Sequence, residues 1–349
     1  MNQILTVIGA LDSENDNIIY DIIKEMFIKI GYRIIYEKQM ISLLIYGKSL
    51  ILMIRLTPDM IDHIYGLGLD IDILLHKSID TAEYANSHIS DMIGNTKYII
   101  MNIDDKEAKY ILSDDIDGLV ISYGINPKAT ITASSFDFSN NSRFNLCLQR
   151  EYRNLHGDKI EPMELPIVLN LMGKSNIYYG LGAIACGLTC GIDIDVIKDA
   201  LFSIRGMNRY LEKIYDGSYM IVDNRCNLPS DYDLILEEIQ NIKYRDGYIV
   251  NGIEIDEGIY TVKNNLRIII NWAPILNIRK IYFYMDKEED LIIDNINLLF
   301  ERYEIEYEIF LDLRRCLHNS IQGLEDGDLL LLMGGDSLEE GKTILKSLI

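Results

Sequence analysis

The chain has 349 residues, 48% hydrophobic and 25% charged, with 33 Lys and Arg against 54 Asp and Glu for a formal net charge of −21. That length and balance fit a globular protein of two or three domains and exclude an extensively disordered chain. The acidic excess repels nucleic acid and anionic membranes, so neither is expected as a partner. No run reaches the roughly 18 apolar residues of a membrane span, and the start, MNQILTVIGALDSEND, has neither the basic region nor the cleavage site of a signal peptide. A cytoplasmic location is the expectation. Cys147, Cys186, Cys190, Cys226 and Cys316 show no CxxC spacing, and the histidines are scattered singly, so neither a disulfide framework nor a metal site is expected. Cys186 and Cys190 share a helix face and read as small core residues.

In chain order, ILTVI predicts a strand, residues 16–31 a helix, and LILMIRL, DIDILL, KYIIMNI and GLVISYG further strands. Apolar runs alternating with amphipathic stretches are the pattern of a mainly parallel sheet flanked by helices. After Gly124 the texture changes to ATITASSFDF, SRFNLCLQ and MELPIVLN, period-2 segments that predict a small antiparallel sheet added to the same domain. A small-residue helix follows from Asn176 to Thr189, stopped by Gly191, and a second runs from an Asp193 N-cap to Phe202. Near IRGMNRYLEKI the chain is expected to enter another α/β domain. Its predicted elements are strand SYMIVD, helix 230–241, strands GYIVNG and KIYFYMD, helix 289–301, strand YEIEYEIF, helix 312–322, strand DLLLLMGG and a last helix from Ser337. The division this implies is 1–205 and 206–349, with the crossing between 205 and 215 inferred from pattern alone.

The opening stretch, ILTVIGALDSENDNIIYDIIKEMFIKIGY, has the strand, turn and helix of a phosphate-binding unit. Such a turn needs glycines whose N–H groups wrap the phosphates, a lysine for their charge, and a Ser or Thr for magnesium. Asp12, Glu14 and Asp16 occupy it instead, beside Asn15 and Asn17. The sharp reading of those acids is a cation or amine site. The simpler one is a solvated helix start, where carboxylates favour the positive dipole end.

Several segments then recur in a suggestive order: NIDDKEAKYIL, SYGINPKATITASSF, GKSNIYYGLGAIACGLTCGIDIDVIKDAL, RYLEKI, MIVDNRCNLPSDYDLIL and LHNSIQGLEDGDLLLLMGG. Together they resemble the Mur ligases, above all the UDP-N-acetylmuramyl-tripeptide synthetase branch, over nearly the whole chain. The resemblance implies a central ATPase-type domain followed by a Rossmann-like C-terminal domain. It also implies ATP-driven conversion of a carboxylate to an acyl phosphate that an amine attacks. The family's N-terminal domain for the nucleotide sugar has no counterpart, because the loop unit starts at residue 4, so a UDP-sugar substrate is not expected.

Laid onto the family pattern VIG-x-TGTNGKTT, the first loop glycine falls on Asp12, the second on Asn15, the phosphate-binding lysine on Asp16 and the magnesium-binding threonine on Asn17. After LILMIRL the chain reads Arg55, Leu56, Thr57 where the family places its magnesium-binding glutamate. The TN-x-x-x-DH motif falls on LHKSIDT, which keeps Asp80 but puts Thr81 at the histidine, and no lysine lies between Asp80 and Gly94. Of the paired asparagines that meet adenine, Asn176 is kept and the second is Tyr179. Arg209 matches the family arginine, with Leu211 at its partner glutamate and Glu212 one place late; Asp223 matches the hinge aspartate.

Asn176, Arg209 and Asp223 therefore read as residual nucleotide or cleft contacts, or more simply as a helix cap, a domain-bridging ion pair and a strand terminus. The GG turn after DLLLLM can hold a ligand at the sheet's C-terminal edge or be an ordinary turn. Three functions stay open. The first is a non-catalytic pseudo-ligase that binds an unknown protein or small molecule in a cell-wall or peptide-ligation setting, with no cofactor expected. The second is a divergent active ATP-dependent carboxylate–amine ligase, the only case in which ATP and Mg are expected. The third is a two-domain small-molecule-binding or assembly subunit.

Overall fold

The structure, a computed structural model, describes residues 4–12, 18–79, 88–110, 116–138, 141–204 and 209–349. It divides into two units, one of residues 1–137, 141–170 and 175–205 and the other of 138–140, 171–174 and 206–349.

In the first unit the predicted opening run becomes β1 (Ile4–Asp12), buried from Val7 to Leu11. After α1 (Ile18–Lys29) come β2 (Arg33–Lys38), β3 (Ile41–Tyr46) and β4 (Ser49–Arg55), then α2 (Pro58–Leu67), β5 (Ile73–Ser78), α3 (Ile89–Gly94), β6 (Tyr98–Asn102) and β7 (Leu119–Gly124). The unit closes with β8 (Ile131–Asp137), β9 (Ser142–Leu148), the short pair β10 (Tyr152–Arg153) and β11 (Lys159–Ile160), β12 (Met163–Leu169), α4 (Asn176–Thr189) and α5 (Ile194–Ser203). The described strands form a ten-stranded sheet in the order β12-β9-β8-β7-β6-β5-β1-β4-β3-β2, parallel from β4 through β8.

The predicted antiparallel segment is joined to this sheet, because Tyr123 pairs with Ile131 and Gly124 with Thr132 and the ladder continues without a break. The hairpin β2–β3 was not foreseen. Every residue of its first strand, RIIYEK, is exposed, so no buried face imposes the alternation by which a strand is read.

Helix α1 packs against α4, the predicted small-residue helix, and the glycines of α4 set the distance. A Cβ on Gly182 would sit 2.6 Å from the Ile19 side chain, and one on Gly187 3.0 Å from the Met26 sulfur. Side chains there would push the helices apart and open the apolar layer between them.

In the second unit, β13 (Glu212–Asp216) and β14 (Met220–Arg225) lead to α6 (Pro229–Ile239), β15 (Gly247–Gly252) and α7 (Ile259–Trp272). β16 (Ile278–Tyr284), α8 (Asp290–Arg302), β17 (Glu306–Phe310), α9 (Leu313–Gln322), β18 (Leu329–Gly334) and α10 (Gly341–Leu348) complete it. The six-stranded sheet runs β13-β14-β18-β15-β16-β17 and is parallel except for β13. Its elements match the predicted series except at β13 and α7, neither of which the pattern predicts. The last helix also begins later than expected, at Gly341 after a 3-10 turn over Asp336–Leu338.

Apolar residues of α6, α7 and α8 fill one face of this sheet around Phe283 and Phe300, while Leu317 of α9 and Leu345 of α10 fill the other. Phe283 is fully buried and meets Phe300 edge-on at 5.0 Å. Phe283→Ala should therefore lower the stability of this unit by about 3–5 kcal/mol. Urea unfolding followed by circular dichroism checks it; a loss under about 1 kcal/mol would mean the core is not packed as described.

Candidate functional site

Four parallel strands of the first unit, β1, β5, β6 and β7, end side by side, so their last residues form one edge. Asp12 closes β1 with its side chain only 6% exposed, and the Lys77 ammonium, 7% exposed, lies 3.3 Å away. Ser78 Oγ donates to Asp12 Oδ1 at 2.9 Å, and Lys77 Nζ stands 4.6 Å from the centre of the Tyr179 ring. Asn102, at the end of β6, donates to the Lys77 carbonyl at 2.9 Å and accepts the Asp104 N–H at 3.1 Å.

Asp104 in turn accepts the N–H groups of Ile125 at 2.6 Å and Asn126 at 3.2 Å, and the Tyr178 hydroxyl at 3.3 Å. Burial and the Asp104 charge push the Tyr178 phenol up to about 12, so it stays a donor. Gly124 at φ +152° leaves the room this carboxylate takes, since a Cβ there would lie 2.5 Å from Asp104 Oδ2. Beside it, the fully buried His76 places Nε2 3.0 Å from Asp105 Oδ2. Burial works against the Asp105 charge, but the hydrogen bonds from His76 and the Glu107 N–H hold its carboxyl below the usual range.

The described part of this edge is thus anionic, with Asp12, Asp104 and Asp105 fixed by hydrogen bonds and Lys77 held against one of them. A triphosphate, carrying about four negative charges, would meet like charge here at a cost of several kcal/mol. Asp12 differs from the solvated helix start read in the sequence, because it is buried and paired across the sheet. Asn15, Asp16 and Asn17, with Glu14, Asp80 and Thr81, lie outside the described residues. Asn176 is the first residue within α4 rather than its cap, which is Ser175, and it is 2% exposed.

In the second unit the structure brings Arg209 and Asp223 together. Arg209 Nε lies 3.1 and 3.2 Å from the two Asp223 oxygens, Nη2 donates to the Gly334 carbonyl at 2.8 Å, and Nη1 donates to the Gly335 carbonyl. The Arg209 N–H donates to Glu212 at 3.1 Å. Arg209 is 2% exposed and Asp223 fully buried.

The backbone is bent to achieve this: Arg209 sits at φ +58° and Leu211 at φ +44°. Such conformations cost about 1–3 kcal/mol each and persist where the surroundings fix them, here through Arg225 N–H to Arg209 O at 2.6 Å and Leu211 N–H to Asn224 Oδ1 at 2.9 Å. The expected domain-bridging pair is therefore internal to the second unit, and Asp223 lies within β14 rather than at its end.

Where β14, β15 and β18 end, the chain leaves toward opposite faces of the sheet, the crevice in which open α/β folds bind ligands. Gly252, Gly334 and Gly335 bring the backbones together there, since a Cβ on Gly334 would meet the Gly252 backbone at 2.9 Å. An open pocket of about 300 Å³ beside them is lined by Glu254, Asp256, Asp286, Lys287 and Ser337. Burial, then the charges of Glu254 and Asp231, hold the nearby Glu257 carboxyl above its ordinary range.

No protein-family model matches the chain. It is 25% identical over 293 residues to a UDP-N-acetylmuramoyl-L-alanyl-D-glutamate–2,6-diaminopimelate ligase of Oceanobacillus iheyensis, covering 78% of this chain and 56% of that one. It is 29% identical over 184 residues to such a ligase of Clostridium acetobutylicum, covering 51% and 33%. Among solved structures, a 2,6-diaminopimelate ligase of the same description superposes with a TM-score of 0.75 at 12% identity, covering 99% of this chain and 79% of that one. The chain has the Mur ligase fold and is similar in sequence to these ligases.

The Mur ligase fold is also seen at a TM-score of 0.63 and 11% identity against a MurF ligase from Thermotoga maritima in complex with ADP, covering 99% and 79%. The chain spans between a third and just over half the length of the curated Mur ligases quoted above. Within this family frame the sequence reading missed Lys77, Ser78 and Asp104. Lys77 lies inside LHKSIDT, and its one signal is an acid at the end of β1 that needs a cation in the neighbouring strand.

The Asp223 carboxyl is pushed up to about 6 by burial, against the pull of Arg209. Its folded pKa thus exceeds the unfolded value near 3.9, the native state binds more protons between about pH 4 and 6, and its contribution to stability falls as pH rises through that window. Arg209→Ala strips the carboxylate of its counter-charge and should cost about 3–5 kcal/mol at pH 8, with a clearly smaller loss at pH 4.5, where Asp223 is protonated. Urea titrations of both proteins at the two pH values check it; an equal loss at both would contradict the buried pair.

Proposed function

We propose that this protein is a non-catalytic pseudo-ligase, a Mur ligase fold that acts by binding a protein or small-molecule partner in a cell-wall or peptide-ligation setting. The observation that carries the reading is Asp12, an acid at a position where the family segment has a glycine, held by Lys77 and Ser78. A site built to receive phosphates needs donors and positive charge presented outward. Here the Lys77 ammonium is directed at a protein carboxylate and an aromatic ring.

Arg209 supports the same reading, since each guanidinium nitrogen is engaged by a carboxylate or a carbonyl within its own unit. The described residues do not fit a triphosphate with its magnesium, and no cofactor is expected.

The second reading is a divergent ATP-dependent carboxylate–amine ligase. It is favoured by the position of Lys77, which puts an ammonium at the end of β5 beside the first strand and against Tyr179. In that reading ATP and Mg would be bound, and Lys77 would answer phosphate charge once released from Asp12.

Phosphate release from Mg-ATP, measured with a panel of amino acids and short peptides as amine donors, separates the two. The pseudo-ligase should show no release above background with any donor. Donor-stimulated release that Lys77→Ala abolishes would overturn it in favour of the ligase. Affinity capture with the intact chain should recover a defined partner under the first reading.

A further inference from the structure

Beside the crevice of the second unit lies a small cavity of about 10 Å³, room for about one water-sized particle, lined by Asn227, Tyr232, Asn251, Glu254, Glu257 and Asn265. The amide donors of Asn265 and Asn251 are already engaged. Asn265 Nδ2 donates to the Asn227 carbonyl at 2.8 Å, and Asn251 Nδ2 donates to the Tyr232 hydroxyl at 2.7 Å and the Met333 carbonyl at 2.9 Å.

What remains is oxygen that accepts. Asn227 Oδ1 and Asn265 Oδ1 are buried and have no hydrogen-bond partner among the described residues, and Asn265 as a whole is 7% exposed. Glu254 gives one oxygen to the Ser337 N–H at 3.0 Å, and among the described residues neither Glu254 nor Glu257 has an ion-pair partner. Gly335 shows how closely these oxygens are drawn together: a Cβ there would lie 2.4 Å from Asn227 Oδ1 and 2.9 Å from Glu254 Oε1.

A water molecule answers such a cavity only in part. It can donate to the two amides, but it leaves two carboxylates uncompensated. A cation answers all four groups at once. The donors are oxygen alone, the preference of hard cations, and two carboxylates favour a divalent one. Calcium accepts an irregular cage of protein oxygens, whereas magnesium demands near-ideal octahedral geometry and usually keeps several of its own waters.

We propose that this cavity binds one divalent metal ion of the calcium type through the side-chain oxygens of Asn227, Glu254, Glu257 and Asn265. Among the described residues no three of His, Cys, Asp and Glu converge on a metal position; here half of the donors are amides. The ion would tie the turn after β14 to the turn after β15 and to α7, bracing that side of the crevice. The proposal is independent of whether the first unit handles nucleotide.

The test uses the full chain stripped with chelator and titrated with Tb3+, a luminescent stand-in for Ca2+, excited through the tyrosines, of which Tyr232 lines the cavity. Expected are a saturable signal of one ion per chain, displacement by Ca2+ but not by equal Mg2+, and a rise in melting temperature with Ca2+. Glu257→Gln, a shape-conserving change at a partly exposed position, and Asn265→Leu should each weaken binding by about tenfold or more, with circular dichroism showing that both variants fold. Absence of a saturable signal would overturn the proposal. So would binding unchanged in Glu257→Gln, which would place the ion elsewhere on this acidic surface, or high-resolution density showing an ordered water only.

Discussion

A charge taken out of water must meet its opposite within a few ångströms, and that constraint organises both units of this protein. In the first, Asp12 at the end of the opening strand is met by Lys77 from the adjacent strand, which brings the two strand ends and Tyr179 into one cluster. In the second, Arg209 reaches Asp223 and the carbonyls of Gly334 and Gly335, which locks the entry of the unit to the ends of its central strands. The positive φ angles at Arg209 and Leu211 are the conformational cost of that lock.

Under the pseudo-ligase reading, the same two pairs let a ligase scaffold persist without nucleotide chemistry. Strand β1 and helix α1 belong to the core, where Ile8, Leu11, Ile19, Ile22 and Met26 are almost wholly buried, so the outline of a phosphate unit is retained for packing. The polar positions around it are free to change, provided that every buried charge keeps a partner. Asp12 with Lys77, and Asp104 with two backbone N–H groups and Tyr178, meet that condition by internal contacts.

Much of the fold was legible because its signals are local. The run ILTVI opens a strand that is buried from Val7 on, KYIIMNI and DLLLLMGG give strands with buried cores, and the glycine- and alanine-rich segment from Asn176 to Thr189 is a close-packed helix. β2 escaped because its residues are all exposed, and α7 because β-branched residues and asparagines dilute a helical spacing that Val262, Leu266, Ile269 and Ile270 nonetheless carry. The site was less legible. Asp12, Arg209 and Asp223 could be named from the family pattern, but their partners Lys77, Gly334 and Gly335 lie far along the chain and depend on strand order. That Asp12 is buried rather than solvated likewise follows from β5 lying beside β1, which no local pattern states.

The most direct test of the account is calorimetric titration of the purified chain with Mg-ATP to millimolar nucleotide. If Asp12 and Lys77 neutralise each other and Arg209 is committed to Asp223, no saturable heat should appear. Saturable binding at one nucleotide per chain would contradict the account, showing that these charges can be turned from the protein toward a phosphate.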